Sequence, residues 1–121
     1  MFDHVSLKVR DFSKCLAFYR SVLAPLGCEA QQLDERNKSV GFGPKGEVAL
    51  WIAEGTAPSL IHLAFKSRSR SSVSKFFEAG LKSGGKDNGK PGLRPDYAKN
   101  YYAAYLFDPD GSNVEAVTIE P

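Results

Sequence analysis

The stretch Phe2-Asp3-His4-Val5-Ser6-Leu7-Lys8-Val9 alternates between two kinds of side chain, as expected of a β-strand with one buried face. A second stretch, Leu60-Ile61-His62-Leu63-Ala64-Phe65, opens around the chain's only other histidine. An aromatic pair follows each histidine at the same distance along the chain, Phe18-Tyr19 after His4 and Phe76-Phe77 after His62. A glycine then follows each pair, again at the same distance from the histidine, Gly27 in the first case and Gly85 in the second. The sequence therefore predicts an internal repeat that places His4 and His62 at equivalent strand positions.

Length and composition are those of an ordinary globular domain. The chain has 121 residues, 42% hydrophobic and 25% charged, which fits a single domain over residues 1–121. Its net charge of +2 is well mixed, so we expect no nucleic-acid or membrane partner. There is no apolar run of transmembrane length, no signal-peptide pattern, and only two cysteines. These features predict a reduced, cytoplasmic protein.

The first module is predicted to span about residues 1–55 as a strand, a helix and three further strands. Asp11 or Ser13 is the expected N-cap of the helix, and Pro25 and Gly27 are expected to close it. The remaining strands are predicted at residues 28–33, 38–42 and 47–54.

The second module is predicted to span about residues 60–121. Its helix is expected to begin at Ser69 and to end at Gly84. Residues 86–100 contain several glycines and prolines without a clear period, so we interpret them as a long loop. Two strands are then predicted at residues 101–107 and 113–119, joined by a tight turn.

This order of elements, the two histidines and the segment Phe107-Asp108-Pro109-Asp110-Gly111-Ser112-Asn113-Val114-Glu115 resemble the vicinal oxygen chelate superfamily. That superfamily is the glyoxalase, bleomycin-resistance and extradiol-dioxygenase group, which closes on a Phe-x-Asp-Pro-Asp-Gly-Asn-x-Ile-Glu type hairpin. Here the residue between Phe and Asp is missing, and Ser112 stands beside Asn113. The resemblance implies an α+β fold in which two βαβββ modules, with curved mixed sheets, pair around a cavity.

The resemblance also implies a divalent metal ion, whose identity can be Fe, Mn, Zn, Ni or Mg. Three of the family's ligand positions match His4, His62 and Glu115. Aligning the turns before the last strand of each module places the fourth position of glyoxalase I at Leu50, or at Trp51 with a one-place shift, and neither binds a metal. The remaining set resembles the facial triad of extradiol dioxygenases and the site of fosfomycin-resistance enzymes. Two imidazoles and one carboxylate leave positions open for a substrate's adjacent oxygens.

Six further residues are expected to line the cavity and contact a substrate: Trp51, Arg94, Tyr97, Asn100, Tyr101 and Tyr102. The indole of Trp51 is suited to pack on a planar substrate, or it is an ordinary core side chain. Arg94 carries a fork of donors that suits a carboxylate or phosphate. The tyrosine hydroxyls either hydrogen-bond and transfer protons or simply pack at the rim.

The resemblance favours a metal-dependent enzyme of the lyase, isomerase or transferase type, acting on a small oxygenated molecule. A dioxygenase ranks lower because the chain is short for the four-module extradiol enzymes. The alternative is a metal-free small-molecule or drug-binding protein of the bleomycin-resistance type. We expect a homodimer, since family members commonly dimerise and two-fold pairing is the commonest closed symmetry. If the modules swap between chains, His4 and His62 come from different copies.

Overall fold

A computed structural model describes residues 1–121 as two βαβββ modules in the order that the repeat predicts. The first module contains β1 (Val5–Val9), α1 (Phe12–Leu23), β2 (Glu29–Asp34), β3 (Ser39–Gly43) and β4 (Leu50–Glu54), with a short 3₁₀ turn at Ala24–Leu26. The second module contains β5 (His62–Lys66), α2 (Arg70–Lys82), β6 (Lys86–Leu93), β7 (Tyr102–Phe107) and β8 (Asn113–Thr118). The α+β fold of two such modules is confirmed.

Each module forms a four-stranded mixed sheet with the same strand order. The orders are β1-β4-β3-β2 and β5-β8-β7-β6, so that β1 and β5 each lie at the edge of a sheet beside a parallel neighbour. The two sheets share no hydrogen-bonded strand pair. Within one chain, therefore, the sheets do not close on each other around a cavity.

The two helices pack against each other and join both modules in one hydrophobic core. The predicted caps are confirmed, because Asp11 accepts a hydrogen bond from Lys14 N, and Ser69 accepts one from Ser72 N. Phe18 and Phe76, at equivalent positions of the two helices, are both completely buried. Each sheet is left with a face that no helix covers, called here its open face. No helix in the chain is both long enough and apolar enough to cross a membrane.

The prediction of a long loop at residues 86–100 is wrong for its first half. Lys86–Leu93 forms β6, which pairs antiparallel with β7 through a register that shifts at Gly89. The strand lies at the edge of its sheet, where Pro91 and the glycines are tolerated, because an edge strand needs only one row of ladder hydrogen bonds. Its side chains show no apolar alternation, which removed the usual signal. The irregular segment shrinks to residues 94–101.

The turn between β7 and β8 connects the two modules. Asp108 is 5% exposed and accepts hydrogen bonds from the backbone N–H groups of Asp110 and Ser112 at 2.9 Å. Its second oxygen accepts a 2.6 Å hydrogen bond from the hydroxyl of Tyr19 on α1. Burial, followed by the charge of Asp108, raises the pKa of Tyr19 well above its usual value, so this donor keeps its proton.

Candidate metal and ligand site

The most concentrated group of polar side chains lies on the open face of the second sheet. Because β5 and β8 are parallel neighbours, with His62 opposite Asn113 and Ala64 opposite Glu115, the side chains of His62 and Glu115 project from the same face. Glu115 is only 2% exposed, and its Oε1 lies 2.9 Å from Nε2 of His62. A buried carboxylate is thus held beside an imidazole nitrogen.

The hydrogen bonds of His62 determine how the imidazole presents its nitrogens. Nδ1 lies 3.0 Å from the carbonyl oxygen of Asn113, which only accepts, so Nδ1 carries a proton. In a neutral imidazole Nε2 is then an acceptor, and it faces the carboxylate of Glu115, which also accepts. Only a proton or a cation between these two atoms makes the contact favourable. An Nδ1–H fixed by a backbone carbonyl is also how metal-binding histidines are commonly oriented.

Around this pair lies an open cavity of about 310 Å³. Its lining residues are His62, Tyr97, Tyr101, Tyr105, Asn113 and Glu115. The hydroxyl of Tyr101 donates a 2.6 Å hydrogen bond to Oε2 of Glu115. The hydroxyl of Tyr105 is buried without a hydrogen-bond partner, and burial, followed by the charge of Glu115, raises its pKa to about 12. Both hydroxyls therefore remain protonated donors near neutral pH.

His4 stands apart from this cavity in the same chain. Its side chain is 50% exposed, and its Nδ1 lies 2.6 Å from Oδ1 of the neighbouring Asp3. It does not line the cavity that holds His62 and Glu115. The structure thus brings together two of the three residues that the resemblance implied as metal ligands.

The other expected contact residues divide between the cavity and its surroundings. Tyr97 and Tyr101 line it, whereas Arg94 lies beside it, with its guanidinium carbon 5.4 Å from the centre of the Tyr105 ring. Asn100 has a left-handed backbone, with φ of 64°, at the end of the loop. Tyr102 projects to the opposite side of β7, packs against the core and carries the guanidinium of Arg70 over its ring.

The register of the two sheets settles which residue of module one corresponds to Glu115. Ser6 pairs with Trp51 in the first sheet, and the equivalent Ala64 pairs with Glu115 in the second. The alignment that favoured Leu50 is therefore wrong by one place: Leu50 points into the core, while Trp51 occupies the open face. The indole lies over Gly41, where an added Cβ would come within 3.0 Å of the ring.

Sequence reasoning missed two of the cavity residues, Tyr105 and Asn113. Tyr105 is the cross-strand partner of Glu115, and Asn113 precedes Glu115 by one full strand period. Once β7 and β8 were paired around their turn, the alternation of side chains was enough to place both on the face of Glu115. The Oδ1 atom of Asn113, like the Tyr105 hydroxyl, is buried without a partner.

One chain by itself fits a divalent metal ion only in part. His62 Nε2 and Glu115 Oε1 offer a nitrogen and an oxygen ligand at 2.9 Å from each other, which suits a cation between them. No group of three or more His, Cys, Asp or Glu side chains in the chain could hold a metal ion. The third ligand of a two-His-one-Glu site would have to come from a second copy of the chain.

Comparisons with known proteins agree with this architecture. The family model for the Glyoxalase/Bleomycin resistance protein/Dioxygenase superfamily matches residues 1–116. A glyoxalase/bleomycin resistance protein from Albidiferax ferrireducens T118 is 27% identical over 97% of this chain and 98% of its own, with a TM-score of 0.83. A Burkholderia phytofirmans PsJN enzyme of the glyoxalase/bleomycin resistance protein/dioxygenase family is 16% identical, with 98% of both chains covered and a TM-score of 0.71.

A glyoxalase I mutant from Zea mays shares the fold at 24% identity and a TM-score of 0.69. The match covers 96% of this chain but 46% of the maize chain, so the present chain spans less than half of that protein. No curated protein matches the sequence.

Proposed function

Because this chain belongs to the Glyoxalase/Bleomycin resistance protein/Dioxygenase superfamily, we propose that it is a metal-dependent enzyme of the lyase, isomerase or transferase type. Its substrate is a small oxygenated molecule, chelated at a site made of His4, His62 and Glu115. The observation that carries the proposal is the 2.9 Å contact between His62 Nε2 and the buried Glu115 Oε1 at the wall of an open cavity. The superfamily includes metal-dependent enzymes and bleomycin resistance proteins, and this pair favours the former.

The cavity residues have distinct parts in such a reaction. His4, His62 and Glu115 would hold a divalent ion, which would supply Lewis-acid chemistry to an oxygenated substrate. The Tyr105 hydroxyl, protonated and without a partner, donates a hydrogen bond to a substrate oxygen. The Oδ1 atom of Asn113 accepts one from a substrate hydroxyl or amide. Arg94 stands beside the Tyr105 ring, where its charge attracts an anionic substrate.

The site requires a homodimer in which each cavity receives His4 of a second copy. His4 lies apart from the cavity of its own chain, and the two sheets of a chain are not paired. β1 and β5 are edge strands of their sheets, and the outer edge of β1 is already bonded at Lys8 to Ser59 of the segment between the modules. The apolar residues that lead into the two strands are exposed, Phe2 by 78% and Leu60 by 65%. A two-fold arrangement that sets the open face of module one of each copy against that of module two of the other covers these residues and brings His4 to the cavity.

Metal content tests the proposal directly. Protein purified without a histidine tag is loaded with Fe, Mn, Zn, Ni or Mg and measured by elemental analysis, for wild type, Glu115→Ala and His4→Ala. We expect near-stoichiometric metal in the wild type and a sharp loss in both variants. Glu120→Ala is the matched control, because it removes an exposed carboxylate just beyond the same strand. Absence of bound metal under every loading condition contradicts the proposal.

Mixing two inactive variants tests the shared site. His4→Ala and Glu115→Ala homodimers each lack a ligand in both cavities. A heterodimer of the two carries one cavity with all three ligands, because its His4 comes from one chain and its Glu115 from the other. We expect co-expression to restore metal binding. If the three ligands belonged to one chain, the mixture would bind no more metal than the separate variants.

A second candidate is a metal-free binding protein for a small molecule or drug. The observation that favours it is the cavity itself, which within one chain presents three tyrosines beside only two metal ligands. A binder retains its ligand when His4 is replaced by alanine, whereas the enzyme loses both metal and activity.

A further inference from the structure

We propose that Tyr101 is a positioning residue, which holds Oε2 of Glu115 so that Oε1 alone faces His62. The inference rests on the proposed function, because it concerns how the same carboxylate is presented to a cation. It assigns to Tyr101 a part different from contact with substrate. The Tyr101 hydroxyl donates a 2.6 Å hydrogen bond to Oε2, opposite the 2.9 Å contact of Oε1 with His62 Nε2.

These two contacts engage the two oxygens of the carboxylate separately. The Tyr101 hydrogen bond is as short as those in which a hydroxyl donates to an ionised carboxylate. Without it, the carboxylate would be free to rotate and to present both oxygens or neither to the cavity. With Oε2 bonded to Tyr101, Oε1 is the oxygen that Glu115 would offer to a cation beside His62.

The direction of this hydrogen bond is fixed by the two groups. A carboxylate only accepts, so the Tyr101 hydroxyl is the donor and Oε2 of Glu115 the acceptor.

The backbone of the 94–101 loop places Tyr101 where it is needed. The N–H of Arg94 donates a 2.7 Å hydrogen bond to the carbonyl of Tyr101, which closes the loop at its base. The N–H of Tyr101 donates in turn to the carbonyl of Ala98. The ring of Tyr97 meets the ring of Tyr101 edge to face at 5.3 Å between centroids. The loop thus fixes both the main chain and the ring of Tyr101.

Tyr97 provides a matched control in the same cavity. It lines the cavity and is 67% exposed. Oε2 of Glu115 accepts its hydrogen bond from Tyr101 and not from Tyr97. The substitutions Tyr101→Phe and Tyr97→Phe therefore remove the same atom from the same cavity, but only the first removes a hydrogen bond to Glu115.

Binding of Co²⁺ alone, followed by calorimetry and by the visible absorption of the bound ion, measures the consequence for the metal. We expect the affinity of Tyr101→Phe to fall about 10- to 100-fold, as for other residues that orient a ligand. Tyr97→Phe should remain within about threefold of the wild type, because it leaves the hydrogen bond to Glu115 intact. Equal affinities of wild type and Tyr101→Phe would overturn the inference.

A double-mutant cycle on the metal-free protein, with Tyr101→Phe and Glu115→Ala, separates this inference from the proposed function. We expect the two substitutions to be coupled by about tenfold in the unfolding equilibrium constant. Absence of coupling overturns the inference whatever the metal does. If the two substitutions are coupled but the wild type binds no Co²⁺, the positioning of Glu115 by Tyr101 is supported and the metal-dependent function is refuted.

Discussion

One cross-strand pair, at equivalent positions of the two modules, distinguishes their open faces. In module one, Trp51 lies across from Gly41, and in module two Glu115 lies across from Tyr105. In module one the aromatic ring of the pair lies on the last strand, β4, whereas in module two it lies on β7, next to the last strand. Only the pair of module two contains a carboxylate. Both modules pair the edge strand with the last strand in the same register. The difference between them lies in which side chains stand at equivalent positions of the open face. Most residues of the candidate site thus belong to module two.

A second comparison concerns two tyrosine–carboxylate hydrogen bonds of equal length. Tyr19 donates to Asp108, and Tyr101 donates to Glu115, each at 2.6 Å. The first joins α1 to the hairpin of module two within the buried interior, and the second lies at the wall of the cavity. Their positions predict that the first mainly supports stability and the second mainly supports ligand geometry.

The largest expected effect is a loss of stability in the core, and it tests whether the two modules contribute equally to that stability. Phe18→Ala and Phe76→Ala remove equivalent rings that are completely buried, so each should lower the free energy of unfolding by about 3–5 kcal/mol. Urea denaturation followed by circular dichroism measures both. Phe2→Ala, at a position 78% exposed, is the control and should change little. Two separate unfolding transitions, or a small loss in one module only, would break the equivalence.

The Tyr19–Asp108 contact should have the next largest effect. Tyr19→Phe leaves a buried carboxylate with one fewer donor, and we expect a loss of about 2 kcal/mol of stability. Co²⁺ affinity, measured in the same preparation, should stay unchanged, in contrast to Tyr101→Phe. A stability loss below about 0.5 kcal/mol, or a weakened Co²⁺ affinity, would argue against the division between the two hydrogen bonds.

Stability at alkaline pH tests the surroundings of Cys15, which is buried on α1 near the acidic hairpin of module two. Burial, followed by the charges of Asp110 and Asp108, raises the pKa of the Cys15 thiol from its usual 9.0 to about 12. A group with a raised folded pKa stabilises the fold below its unfolded value, and this stability is lost as pH rises above 9. We expect about 1 kcal/mol less stability from this thiol at pH 10 than at pH 8.

Thermal unfolding between pH 7 and 10.5 measures this loss. Cys15→Ala is the comparison, because it removes the thiol and should flatten the decline above pH 9. An identical decline in the variant would mean that other groups carry the pH dependence.

Much of the fold could be predicted from the sequence because its signals are local. The alternation around His62 and the caps at Asp11 and Ser69 marked elements that the structure contains. β6 gave no such signal, because an edge strand with glycines and Pro91 is held by its neighbour rather than by its own pattern.

The candidate site was harder to predict because it depends on contacts between distant segments. His62 and Glu115 meet as expected, but His4 does not join them within a chain, since that depends on how the sheets pair. The contact of Tyr101 with Glu115 depends on the closed shape of a loop with little periodicity. Tyr105 could have been found once β7 and β8 were registered around their turn.

The smallest expected effect concerns Trp51, the counterpart of Glu115. Trp51→Ala removes an indole that lies over Gly41 on the open face of module one, at the position that Glu115 occupies in module two. We expect Co²⁺ affinity to change less than about threefold, because the metal's own ligands and the groups that orient them are untouched. Glu115→Ala at the equivalent position should abolish binding in the same assay. A loss in Trp51→Ala as large as in Glu115→Ala would mean that Trp51 supports the metal site as much as Glu115 does, and the contrast between the two positions would fail.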